Sequence, residues 1–200
     1  MITNSSPQSL DDLLRTAENY ADFTLRYGGR VPEALLLLGP SGPSLYLPKN
    51  LSDEQAKDEF AATARHLAIA HDATALVMVF EAWARLAKPG VPLDANLPPS
   101  EAPDRQEVVA LIGEAVGAQQ ARMIPILRNA VGTFSGLGES CVQTFDRAQG
   151  RFAEILPAQP PTAEEKARSE AILRAQGVVL TPTAPETSSM NPRHRHWHSC

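Results

Sequence analysis

Cysteine is almost missing from this chain. Only Cys141 and Cys200 occur in 200 residues. That excludes a disulfide framework and fits a reducing compartment. Positive charge is short as well. The 18 Lys and Arg fall below the 23 Asp and Glu, and the net charge is −5. A general nucleic-acid binder needs a basic patch or stripe, so nucleic acid is not an expected partner. No apolar run reaches the roughly 18 residues of a spanning helix, so membrane association is not expected either. The first residues, MITNSSPQSLDDLL, contain no basic n-region and no apolar h-region. No signal peptide is expected, and the expectation is a soluble, bacterial-style cytoplasmic protein. There is no internal repeat.

Proline, by contrast, is plentiful. The 17 prolines gather in 89–103, 157–161 and 181–192, where they mark loops and linkers rather than core. Three regions follow: a domain over 9–156, a linker and helix over 157–180, and a tail over 181–200. The tail carries Pro, Thr, Ser and His and is expected to be disordered. The hydrophobic share of 43% is ordinary for a globular chain.

The organising stretch is Thr74–Arg85, TALVMVFEAWAR. Leu76, Met78 and Phe80 point to one side; Ala75, Val77, Val79, Glu81 and Trp83 point to the other. A strand apolar on both faces lies centrally, with cover on both sides. Two helices precede it. Ser9 can cap the first, to about Arg26, with Asp12 at the N3 position. Ser52 and Gln55 form a capping box for the second, to about His71. Twenty helical residues span roughly 30 Å, matching the strand that follows, so this helix is expected to cover one sheet face. The first helix is the candidate second cover. Between them, Ala34–Leu38 and Ser44–Leu47 flank GPSGP as a hairpin. Gly39–Gly42 lacks the Lys-Ser/Thr of a phosphate loop and reads as a turn.

After a long proline-rich loop, Glu107–Glu114 and Ala121–Leu127 read as strands paired antiparallel across a turn at 117–120. Pro125 lacks a ladder donor, which suggests an edge strand or a bulge. VGTFSGLGES reads as loop, and Val142–Phe145 with Arg151–Leu156 as a loose hairpin or an irregular extension. Thr162 and Glu165 form a capping box for a last helix to about Gln176, stopped by Gly177. The fold class is therefore α+β: a mainly antiparallel sheet of about five strands against two helices, then a C-terminal helix and tail.

Two constellations could carry chemistry. A meander brings Glu81, Asp104, Arg105 and Glu107 to one end of the sheet, beside Trp83. Three carboxylates could hold a divalent metal such as Mg²⁺ or Mn²⁺, or divide acid and base roles. The plainer reading is an anchoring cluster, in which Arg105 forks onto Glu81 or Glu107 and pins the long loop. The second constellation is His194, His196, His198 and Cys200, which alternate in the tail. Their spacing matches no standard zinc module, although side chains on one side of an extended chain could hold Zn²⁺, Ni²⁺ or Cu²⁺. His66 and His71 stand too far around the helix from each other to share a ligand. Cys141 has no identified base, and Ser135 lacks the strand–turn–helix setting of a nucleophile elbow.

The pairing of EAW (81–83) with a later PDRQE (103–107) that opens a strand of the form EVV resembles a group of uncharacterised bacterial and phage proteins. The resemblance covers roughly 50–135. It implies a small α+β domain and carries no activity. Two functions stand open. One is a non-catalytic interaction or accessory domain with a protein partner or a second copy of itself. The other is a metal-assisted hydrolase using Glu81, Asp104 and Glu107.

Overall fold

Ser9 starts the first helix of the computed structural model, which describes residues 9–49, 51, 53–85, 97–145 and 151–180. Its hydroxyl accepts from the Asp12 N–H at 3.2 Å, and Asp11 and Asp12 sit where the helix dipole favours acids. Helix α1 (Leu10–Gly28) ends on Gly29 in the left-handed region, φ +74°. Helix α2 (Glu54–Ala70) is capped by Asp53, whose carboxylate accepts from the Ala56 N–H at 2.8 Å. The expected Ser52 cap is thus corrected by one residue; Ser52 itself lies outside the described residues. Helix α3 (Ala163–Ala175) has the expected Thr162–Glu165 capping box.

The strands are β1 (Ala34–Gly39), β2 (Gly42–Tyr46), β3 (Ala75–Ala84), β4 (Gln106–Ala115), β5 (Ala118–Arg128), β6 (Phe134–Leu137) and β7 (Cys141–Phe145). Among the described residues they form one antiparallel sheet of order β2-β1-β3-β4-β5-β6, with β7 also on β5. The sheet curls into a half-barrel. The expected five strands are all present, and two more join them. Phe134–Leu137, expected as loop, and Cys141–Phe145 both pair with the outer side of β5. Arg151–Leu156 is not a strand, so β7 has no hairpin partner there. The β4–β5 turn is also tighter than expected, with Ala115 opposite Ala118 and Gly117 at φ +74°.

Pro125 explains why the outer strand comes in two pieces. A strand residue directs its N–H and C=O to the same side. The Pro125 carbonyl accepts from Gly138 N–H at 2.7 Å, so the missing proline N–H also faces outward. The chain breaks between β6 and β7 at that point. Pro125 therefore does not mark an edge strand; β5 is paired on both sides and the irregularity falls in its neighbour.

Strand parity sorts the core into two layers. On one face, Leu13, Leu14, Ala17 and Leu25 of α1 bury Val77, Val79, Val109, Leu111 and Ile124. On the other, Phe60, Ala64 and Leu67 of α2 meet Leu35, Leu37, Leu76 and Met78, with Leu173 of α3 joining them. Each fully buried Leu, Val or Met side chain contributes about 1.5–3 kcal/mol. The second cover by α1 is as the sequence implied; α2, with 17 residues, is shorter than expected and spans about 25 Å against about 33 Å for the ten residues of β3. No helix among the described residues is long and apolar enough to cross a membrane.

Candidate functional site

Strand β3 outruns its helical covers. Its burial pattern is continuous through Val79 and weakens from Phe80 onward. The register places Glu81 opposite Val109 and Trp83 opposite Glu107. All three polar or aromatic side chains lie on the α1 face by parity. Ile124 stands opposite Val109, so Arg128, four residues on, shares that face too. The sheet therefore does bring Glu81, Trp83 and Glu107 to one end, as the sequence suggested.

It does not bring their carboxylates to one point. Glu81 Oε1 accepts from the backbone N–H of Val31 at 2.6 Å. It ties the link between α1 and β1 to the end of β3. Glu107 is held by Arg128, with two N–H···O contacts of 2.7 Å in a fork. Those bonds hold its carboxyl below the ordinary range, against a smaller opposing effect of burial. Asp104 takes Arg85 Nε at 2.9 Å. Arg105 forks onto neither Glu81 nor Glu107. It donates to the Ser100 carbonyl and lays its guanidinium 4.6 Å from the Trp83 ring centroid. An arginine over an indole is attracted by the ring quadrupole.

This arrangement fixes a loop end onto a sheet end. It is poorly suited to proton transfer. A base needs a free lone pair and a pKa near the working pH, and the Glu107 carboxylate has its lone pairs on Arg128 and a lowered pKa. Among the described residues, no group of three or more His, Cys, Asp or Glu side chains comes together in a way that could hold a metal ion. His194, His196, His198 and Cys200 lie outside the described residues, as does the 86–96 part of the long loop.

The remaining single candidates have quiet settings. Cys141 is an exposed thiol on β7. Ser135 stands within β6. His66 Nδ1 meets Ser169 Oγ at 3.2 Å between α2 and α3, and the Tyr46 hydroxyl is hydrogen-bonded to His71 Nε2. Gly39–Gly42 closes the β1–β2 turn, with Gly42 at φ +96°.

Two features escaped the sequence reading. The first is Glu114, buried near the end of β4. Its oxygens accept from the backbone N–H of Ile155 at 2.9 Å and of Leu156 at 3.3 Å. Glu154, just before them, is in the left-handed region at φ +55°. That bend presents two successive N–H groups to one carboxylate, the concavity that suits an anion. Parity carried the signal: Val108, Ala110 and Ile112 lead directly to Glu114 on an apolar face. The second is a groove of about 1150 Å³ beside α2, bordered by Tyr46–Lys49 and Gln176–Val179. It lies on the α2 face of the sheet, whereas Glu81, Trp83 and Glu107 lie on the α1 face. Its walls come from three separated segments, so no local pattern announces it.

No protein-family model, curated protein or solved structure matches the chain.

Proposed function

We propose that this protein is a non-catalytic interaction or accessory domain. One observation carries the reading: Glu81, Asp104 and Glu107 are each bound to a different donor, namely Val31 N–H, Arg85 and Arg128. A metal-assisted hydrolase would need their oxygens to converge on one ion. Here Glu81 stabilises a chain crossing, Glu107 and Asp104 neutralise Arg128 and Arg85, and a third arginine, Arg105, lies over Trp83. The sheet end is a rigid anchor for the 97–105 segment, and the exposed surfaces elsewhere are left for contacts with other molecules.

The test is a melting curve of the full chain with Mg²⁺ or Mn²⁺ at millimolar concentration. A ligand that binds only the native state raises its stability by about 2.7 kcal/mol at a hundred times its Kd. The expected result is an unmoved midpoint with either ion. A rise in midpoint that disappears in Glu107→Gln would overturn this reading in favour of a carboxylate metal site.

A further inference from the structure

The groove beside α2 has a volume of about 1150 Å³, above the roughly 300–1,000 Å³ of small-molecule sites. One wall is the chain leaving β2, Leu47 to Lys49. The other is the first turns of α2, and Gln176–Val179 borders the far side. β2 is the last strand at its edge of the sheet. Gly39 and Gly42 close its hairpin as partners. In a two-residue hairpin that closing pair exchanges hydrogen bonds, and bonded and non-bonded pairs then alternate. Ser44 and Tyr46 therefore bond inward to β1. Pro43 and Leu45 direct their main chain to the open edge. Pro43 has no N–H to leave unsatisfied there, whereas the Leu45 N–H and C=O have no strand partner on that side among the described residues.

The side chains around this edge are apolar and accessible. Leu45 is 50% exposed, Leu47 58% and Val179 83%. The charges are uneven. On α2, Glu54 is matched by Lys57 and Arg151, and Asp58 by Arg151. Asp53 and Glu59, which face the groove, have no cation partner among the described residues. Their bonds are to the Ala56 N–H and the Gln55 amide.

We propose that the groove takes an extended segment of a partner protein, apolar at alternate positions and carrying a basic side chain towards Asp53 and Glu59. This rests on the reading of the protein as an interaction domain. In an extended strand alternate side chains fall on one side about 7 Å apart. One set fills the space between Leu47 and Val179, and the main chain adds to the edge at Leu45. In strand addition the main-chain bonds supply affinity and the side-chain contacts supply specificity. Lys49 also borders the groove; against that cation the two carboxylates, Asp53 and Glu59, select a basic partner over an acidic one.

The experiment uses the full chain and three fluorescein-labelled twelve-residue peptides, alternating Val with Lys, Val with Glu, and Ser with Lys. Anisotropy should show saturable binding of the Val/Lys peptide, about tenfold or more tighter than either other peptide. Leu47→Asp should weaken it by about tenfold, and Glu59→Lys should shift preference towards the Val/Glu peptide. Both positions are exposed, and unchanged circular dichroism checks that the fold is kept. Equal binding of Ser/Lys, or indifference to Leu47→Asp, overturns the proposal. A dimer seen by sedimentation that Leu47→Asp dissolves, without peptide binding, replaces the partner with a second copy and also overturns it. That outcome leaves the interaction reading standing; only the metal-dependent melting shift described above removes it.

Discussion

Val31 N–H and Glu81 Oε1 meet at 2.6 Å across fifty residues of sequence. Deleting the acceptor leaves a part-buried donor without a partner, which costs about 1–3 kcal/mol. Glu81→Ala should therefore lower the unfolding free energy read from urea melts by that amount, while Glu81→Gln, which keeps a carbonyl acceptor, should lose less. An unmoved midpoint in Glu81→Ala would remove the anchoring role. Glu114 makes a different prediction, in pH. Burial raises its carboxyl above the ordinary 4.5; the N–H groups of Ile155 and Leu156 and the Gln119 side chain pull the other way, and Glu154 adds to the rise. Between 4.5 and the raised value the native state binds more protons than the unfolded chain. Its contribution to stability thus falls as pH rises through that window and is level above it. The stability difference between the natural protein and Glu114→Gln should shrink from about pH 4.5 upward and then stay constant, read as urea midpoints at each pH. A difference independent of pH would show that Glu114 titrates alike in both states.

At the scale of elements, the joints between helix and sheet are the sensitive places. A Cβ at Gly39 would overlap the carbonyl oxygen of His71, where α2 ends against the β1–β2 hairpin. Backbone cannot yield as a side chain can, so Gly39→Ala should destabilise by about 1–3 kcal/mol. Gly28, the last residue of α1, has nothing within reach of an added Cβ, and Gly28→Ala should be neutral or stabilise by up to about 1 kcal/mol. Thermal melts of the two variants check the pair; equal effects would mean that the α2–hairpin contact is looser than this geometry. Elements with strong local signals were legible: the apolar faces of α1 and α2, the two-sided burial of β3, and the capping box of α3. β6 was not. It pairs along one side only, on β5, and an edge strand needs little apolar pattern, so Gly and Ser masked it. β7 was legible as a segment, Val142–Phe145, but its partner is β5 and not Arg151–Leu156. The candidate site was half legible. Parity placed Glu81 and Trp83 on one face and the meander brought Glu107 to the same end, but the arginine partners depend on side-chain reach. Arg128 sits one residue past the expected end of its strand, and it, rather than Arg105, takes Glu107.

For the whole molecule, the two faces of the sheet differ in how firmly they are covered. The α1 face is closed by one long helix whose Leu13, Leu14, Ala17 and Ala21 are fully buried. On the α2 face, α3 adds a second layer with only Ser169 and Leu173 buried. Its other ties are polar: Lys166 to Asp72 at 2.9 Å, His66 to Ser169 at 3.2 Å, and Thr63 to Gln176 at 3.3 Å. Exposed ion pairs contribute about 0–1 kcal/mol, so one leucine carries most of the docking. Stability in such a molecule is not uniform, and α3 belongs to its low end. Leu173→Ala should remove about 2–5 kcal/mol of docking energy. Because that energy is local, amide exchange over 163–175 should rise sharply while β3 and β4 keep their protection. Leu111→Ala, at the centre of the sheet on the α1 face, should instead lower protection in every element together. If Leu173→Ala also exposes β3 and β4, then α3 is part of the cooperative core. The groove bordered by Gln176–Val179 would in that case be a fixed feature, since its far border could not leave without unfolding the sheet.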